Sequence, residues 1–343
     1  MKRVCIWCNE IKIVQGYTRS IIIDPQRAQF ILVPKNFSNL ISRVVGNSIE
    51  ELEMLLSEDE FDWVAKCLEM EFLLQTPDIF KENFNEVSLE WTHPSYITNA
   101  VVHYSDDFEP IIAFLKKLLC RHVHILFEKE SDLIDFLDTQ IANSDFRSIE
   151  VTLENSPFEI NVEDYYKKYP VLRRIFLGDE NDRGTDSSFL PVFGNNLDIF
   201  NESQKHNVYF NRKIYIDRNG EIRRSVECGE DSFGRFDEIE IQDLLLNREF
   251  RKYWNVHKGK VDVCKDCEFR NICVDNRRPI QRNEEEWFYK EECEYNPFIA
   301  KWRGDKGYKT LSDCNVISDS REYIVNEEVL TIYKQELWEV EAV

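Results

Sequence analysis

Four cysteines near the end of the chain have the spacing of a metal-binding loop. Cys264-Lys-Asp-Cys267 is a CxxC, Cys273 follows after five residues and Cys293 after nineteen more. A two-residue gap lets both thiolates of a tight turn face one centre, and a distant fourth sulfur closes the site around a folded loop. Thiolate-only ligation suits a [4Fe-4S] cluster or Zn²⁺, and spacing alone leaves both open. Ten cysteines in 343 residues are too sparse for a disulfide scaffold, and the clustering of these four, with Cys228 upstream, points to a metal site. Cys5 and Cys8 supply only two thiols and read as structural.

Other reactive side chains read as ordinary. His122-Val-His124 places two imidazoles on one strand face, but no third ligand lies nearby, so they read as strand-end histidines. Glu284 to Glu286 and Glu291-Glu292 read as solvated loops, and Trp287, Phe288 and Tyr289 as packing over the metal loop. No GxGxxG, Walker loop or GxSxG occurs, so nucleotide-dependent chemistry must come from a partner. No catalytic residue is assigned.

Three kinds of element must position the cysteines. Residues 17–24 and 29–34 are β-branched and aromatic runs around the turn Asp24-Pro25-Gln26-Arg27, which predicts a hairpin. Ser48-Ile-Glu-Glu51 and Ser57-Glu-Asp-Glu60 are capping boxes that start helices, the second followed by an apolar stripe of Phe61, Val64, Ala65, Leu68 and Phe72. A hairpin packed by about three helices is a winged-helix-like module, placed over 1–88. From about residue 90 strands at 99–104, 122–127, 148–153 and 174–177 alternate with helices near 110–119 and 131–141, which predicts an α/β region with a parallel sheet over 89–205, large enough for a partial β/α barrel. The stretch 178–188 reads as a loop. The last span, 206–343, opens on a hairpin at 213–224 with Asn219-Gly220 in its turn and contains the cysteine loop.

With 64 acidic against 43 basic residues the net charge is −21, a field that repels phosphate backbones and anionic membranes, so nucleic-acid and membrane partners are disfavoured. The first residues are too polar for a signal peptide and no apolar run reaches membrane-spanning length, which predicts a cytoplasmic location.

The run from Gly234-Arg-Phe through the CxxC, Cys273 and Cys293 resembles the SPASM domain, the C-terminal iron–sulfur extension of radical SAM enzymes that modify peptides. In that family seven cysteines share two auxiliary [4Fe-4S] clusters. This chain keeps all four ligands of the second, while of the first only Cys228 remains, with Arg277 at another ligand's place and Asn211 or a neighbour at a third. The resemblance therefore implies one [4Fe-4S] cluster on Cys264, Cys267, Cys273 and Cys293 and favours iron–sulfur over zinc. Radical SAM chemistry also needs a CxxxCxxC loop after the first barrel strand. Here Asn99 to Tyr104 is followed by no cysteine until Cys120, so no S-adenosylmethionine is expected.

Over nearly its whole length, including Gly16-x-x-Arg19-Ser-Ile-Ile-Ile-Asp24, Glu90-Trp91-x-x-Pro94 and Cys293-Glu-Tyr-Asn-Pro297, the chain looks like the SPASM-domain peptide maturase of grasp-with-spasm systems. That likeness implies a PqqD-like peptide-recognition start, a degenerate radical SAM barrel and a SPASM-like end. It also implies two partners, a ribosomal precursor peptide and an ATP-grasp ligase, with the precursor's leader added as a strand near Arg19, Ile21 and Ile23; the residues alone leave open whether a leader or another part of the chain covers that apolar strand. The leading function is an accessory protein that binds the leader and docks the ligase. Against it stand an iron–sulfur enzyme, either an unorthodox radical SAM protein or an electron carrier, and a zinc-stapled interaction scaffold.

Overall fold

A computed structural model describes residues 2–84, 88–105, 108–140, 145–153, 162–177, 191–226 and 231–339. The expected loop at 178–188 and Cys228 lie outside them. The chain divides into two compact units, each built from separated segments: Met1–Trp91, Ser188–Val208 and Val256–Val343 form one, and Thr92–Ser187 with Tyr209–Asn255 the other. The three spans expected from the sequence follow the chain instead.

The first unit opens with β1 (Arg3–Trp7), β2 (Lys12–Gln15), β3 (Arg19–Asp24) and β4 (Gln29–Pro34), continues through α1 (Phe37–Val44), α2 (Ile49–Leu55) and α3 (Glu58–Glu69), and reaches β5 (Leu73–Pro77). β1 pairs antiparallel with β5, Trp7 opposite Leu73. The expected hairpin β3–β4 gains β2 on its other side, so β3 is the centre of a three-stranded antiparallel sheet. Three consecutive isoleucines show why: a strand covered on both faces carries an unbroken apolar run. Ile22 enters the core formed with the three helices, whereas Ile21 and Ile23 enter a second core with Phe269, Ile272 and Tyr295, and all three are fully buried.

Both capping boxes form. At α3 the Glu60 amide donates to Ser57 Oγ at 3.3 Å and the Ser57 amide to Glu60 Oε2 at 3.1 Å; at α2 the Ser48 amide donates to Glu51 Oε2 at 2.8 Å. The buried side of α3 runs through Val64 and Cys67, and Ala65 of the expected stripe faces solvent.

The second unit is a mixed α/β layer. β6 (Asn99–His103), α4 (Glu109–Lys117), β7 (His122–Phe127), α5 (Glu130–Asp135), β8 (Ser148–Leu153), α6 (Val162–Lys168) and β9 (Leu172–Leu177) alternate as the sequence predicts. The chain then supplies β10 (Val192–Phe193) and α7 (Leu197–Glu202) to the first unit and returns with β11 (Lys213–Ile216), β12 (Ile222–Arg223) and α8 (Ile241–Leu246). The six-stranded sheet has the order β12-β11-β6-β7-β8-β9, parallel except for β12. The hairpin expected to open the third span thus contributes its first strand, β11, as a parallel neighbour of β6. One sheet face packs Val102, Val123, Ile125 and Val151 against Phe108, Leu115 and Leu133 from the helical side.

The rest of the first unit has little regular structure: β13 (Cys273–Val274), β14 (Ile280–Gln281), β15 (Trp287–Phe288), β16 (Tyr295–Asn296), β17 (Lys301–Trp302), β18 (Val316–Ser318), β19 (Tyr323–Val325) and α9 (Glu327–Glu339). Apart from α9 these are pairs of two or three residues. Two-stranded pieces of this size are not stable alone, so side-chain ties must hold the region. Among the described residues no helix is long and apolar enough to cross a membrane.

Candidate metal centre

The four cysteines predicted as ligands line one pocket of the first unit, half-buried and in no disulfide. Local backbone geometry aims them there. Val263, just before the CxxC, sits at φ 65°, ψ −50°, and the Cys264 amide donates to the Asp262 carbonyl at 2.6 Å, a γ-turn in the region a β-branched residue disfavours. The Cys267 amide then closes on the Cys264 carbonyl at 3.1 Å, folding the two-residue gap into a single turn. Cys273 leads β13, which pairs with β10, Phe193 opposite Cys273. The Tyr295 amide donates to Cys293 Sγ at 3.5 Å, the kind of backbone contact that stabilises a thiolate.

The turn is anchored on the N-terminal sheet. The Tyr17 amide donates to the Asp266 carbonyl at 2.7 Å, and Arg270 Nη1 donates to the carbonyls of Gln15 at 2.6 Å and Cys267 at 3.0 Å. Arg19 Nε meets Glu268 Oε1 at 2.6 Å and its Nη2 lies 3.0 Å from Tyr295 Oη, which also donates to Glu268. Glu268 is fully buried. Ile21 and Ile23, on a strand expected to be covered either by a leader or by another part of the chain, turn into the chain's own core with residues of the cysteine loop, and Arg19 is tied to Glu268 and Tyr295 beside it. Gly16 lets the two segments touch, since a Cβ there would lie 2.8 Å from the Arg19 carbonyl oxygen and 2.8 Å from the Glu268 nitrogen. Gly16→Ala is expected to destabilise the protein by about 1–3 kcal/mol, because two of the three clashing atoms are backbone and the third is Glu268 Oε2; a denaturation midpoint equal to the parent's would contradict this packing.

Cations surround the sulfurs. Lys258, Arg270 and Arg277 line the same pocket. Lys258 Nζ lies 2.6 Å from Asp275 Oδ2, and Arg277 grips that buried carboxylate through Nε at 3.0 Å and Nη2 at 2.7 Å. Burial alone would raise Asp275, but Lys258 and Arg277 hold its carboxyl well below the usual carboxylate range. Burial pushes the Cys273 thiol up to about 12, against the pull of Lys258, and likewise raises Cys267 and Cys293. Without a metal these three stay protonated at neutral pH, so loading must release protons and strengthens as pH rises.

Do these residues fit a metal group? The donor set does: four thiols, nearby cations, and, beside Lys258 and Arg277, a buried Tyr289 hydroxyl with no hydrogen-bond partner among the described residues. A single ion fits less well. A tetrahedral zinc with Zn–S near 2.3 Å draws its sulfurs to about 3.8 Å apart, whereas among the described residues no three His, Cys, Asp or Glu side chains gather closely enough to hold one ion.

The remaining candidates sit elsewhere. Cys5 and Cys8 are buried in the core under α1 to α3, where the Cys8 thiol donates to the Glu71 carbonyl at 3.2 Å. His124 Nε2 bonds Thr152 Oγ1 at 2.8 Å within the large sheet. Glu284 and Glu285 are exposed, and Trp287, Phe288 and Tyr289 are buried. Sequence reasoning missed Lys258, Asp275 and the Glu268–Tyr295 pair; isolated charges near a cysteine loop were the available signal.

No family model and no curated protein matches the chain. Among solved structures it is similar to Streptococcus suis SuiB bound to S-adenosylmethionine, at 12% identity over 80% of this chain and 95% of that one with a TM-score of 0.25. It is also similar to Streptococcus suis SuiB in a second crystal structure, at 11% identity over 78% and 94% with a TM-score of 0.25. Likeness at this level carries no argument.

Proposed function

We propose that the chain is an accessory protein in the maturation of a ribosomally made peptide, acting in the cytoplasm, with one [4Fe-4S] cluster on Cys264, Cys267, Cys273 and Cys293 in a structural role. The observation that carries the reading is the shared core: Ile21 and Ile23 of β3 pack on Phe269 and Tyr295, with Cys267 and Cys293 at its border. A centre held there fixes the N-terminal sheet as well as its own loop. The resemblance of the cysteine spacing to the SPASM domain favours a cluster over zinc.

The leader peptide then has an edge to join. With β3 central and β2 tied to Arg270 through Gln15, the longer edge is β4, whose residues Gln29 to Leu32 are exposed or half-buried. A strand added at β4 would gain affinity from backbone hydrogen bonds and selectivity from alternate side chains. Peptide-bond chemistry would belong to an ATP-grasp partner, and the β/α unit, with no cysteine between Asn99 and Cys120, would serve as a docking surface.

Co-expression of precursor and ligase with and without this chain, followed by mass analysis of the peptide, tests the role. Modification that needs all three supports it; modification by the ligase alone sinks it. Anaerobically purified protein is expected to carry about four irons and four sulfides and to form no 5′-deoxyadenosine above background. Stoichiometric zinc without sulfide would establish the scaffold instead, and 5′-deoxyadenosine a radical enzyme.

A further inference from the structure

Val263, the residue before the CxxC, is β-branched and sits at φ 65° and ψ −50°, a conformation that L side chains avoid and that persists only where the surroundings impose it. The backbone on either side is pinned. The Asp262 amide donates to the Trp287 carbonyl at 2.8 Å, the Cys264 amide to the Asp262 carbonyl at 2.6 Å and the Lys265 amide to the Val261 carbonyl at 2.9 Å. Strain of this kind gathers at functional sites, and here it falls one residue before a cysteine that lines the pocket.

The side chain of Asp262 supplies the constraint. It is buried, and its carboxylate accepts from Arg282 Nη2, from Lys265 Nζ at 3.3 Å and from Ser318 Oγ at 3.3 Å. Arg282, its side chain 7% exposed against 1% for Asp262, also donates through Nε to the Asp319 carbonyl at 2.9 Å. Ser318 ends β18 and Asp319 follows it, so three separate segments meet on this one carboxylate. A parallel tie enters the CxxC itself, where Tyr323 Oη donates to Asp266 Oδ2 at 2.6 Å. Neither Asp262 nor Arg282 lines the pocket of the four cysteines. A buried ion pair is weak evidence for stability, since well-packed apolar residues in its place are often as stable; what this pair secures is where Asp262 stands.

We infer that Asp262 and Arg282 are positioning residues for the thiolate-held centre: together they hold Val263 in its strained turn, and the turn presents Cys264 to the pocket. The inference rests on the metal reading proposed above. Cys273, on β13, and Cys293, bonded by the Tyr295 amide, have supports of their own. Cys264 is then the ligand whose place depends on imposed strain, and breaking the tie lets the turn relax and moves Cys264 first.

The test uses the full chain, loaded anaerobically with iron and sulfide and separately with zinc. It measures metal retention against a chelator, the order in which iodoacetamide alkylates the four cysteines of the loaded protein, and the thermal midpoint of the metal-free protein. Arg282→Met is expected to lower retention about tenfold or more, as loss of a partner that orients a ligand does, and to expose Cys264 ahead of Cys267, Cys273 and Cys293. Val263→Gly allows the same turn without strain. Added to Arg282→Met, it is expected to restore most of the retention while the metal-free midpoint stays low, since Asp262 still lacks its arginine. A purely structural ion pair gives neither the order of alkylation nor the rescue. Arg282→Lys, which keeps the charge, should fall between parent and Arg282→Met. Should Arg282→Met fail to fold, Arg282→Lys with and without Val263→Gly decides. Alkylation of all four cysteines together, or no rescue by glycine, overturns the inference alone; a parent that binds neither iron nor zinc through these cysteines overturns the metal reading and the inference together.

Discussion

Cys264→Ser, Cys267→Ser, Cys273→Ser and Cys293→Ser are each expected to release the bound centre and to loosen the N-terminal sheet some 240 residues earlier in the chain. The reason is the sparse structure around the cysteines: strands of two or three residues, held to β2 and β3 through Tyr17, Arg19 and Arg270. A metal that binds only the folded loop contributes about 4 kcal/mol at a thousandfold excess over Kd, and structural zinc sites reach 10 kcal/mol or more. A loss of at least about 4 kcal/mol is therefore expected for each variant, read as a fall of roughly 10 °C in thermal midpoint for a unit of this size. Hydrogen exchange should quicken both in the loop and in Lys12 to Pro34. Cys120→Ser, whose thiol meets the carbonyls of Thr98 and His122 in the other unit, should keep the metal. Exchange in Lys12 to Pro34 that ignores chelation would break the link between centre and sheet.

How much of this the sequence discloses depends on the range over which each residue finds its partner. The capping boxes at Ser48 and Ser57 and the strands β6 to β9 are legible because their signals are local, a hydroxyl three residues from a carboxylate or a β-branched run between helical periods. The four ligand candidates are legible for the same reason, as the CxxC is a turn written in four residues. Long-range pairings are not. Nothing near Arg3–Trp7 announces Leu73–Pro77, and Lys213–Ile216 reads as half of a hairpin with no sign that its other edge meets β6. The run Ile21-Ile22-Ile23 did announce burial on two faces, but the cover over Ile21 and Ile23 comes from residues near 270 and 295. Charged positions mislead most. Glu268, Asp275 and Arg277 look solvated in a chain of net charge −21, and only the fold brings buried cation to buried carboxylate.

Arg19 makes that last point testable, because its two assignments predict different losses. As a peptide contact it would be dispensable for folding, and Arg19→Met would lower leader affinity at unchanged stability. The structure instead has it neutralise Glu268, which is fully buried, with Tyr295 completing the triad. Removing one partner of a buried pair strands the other charge, and such changes cost about 3–5 kcal/mol. Arg19→Met is therefore expected to lose that much. Glu268→Gln introduced into Arg19→Met should recover part of the loss at pH 7, since the amide carries no charge to strand. Urea denaturation of the parent, the single variant and the double variant measures both quantities. A deficit below about 1 kcal/mol would return Arg19 to the surface and reopen its role as a contact for the leader.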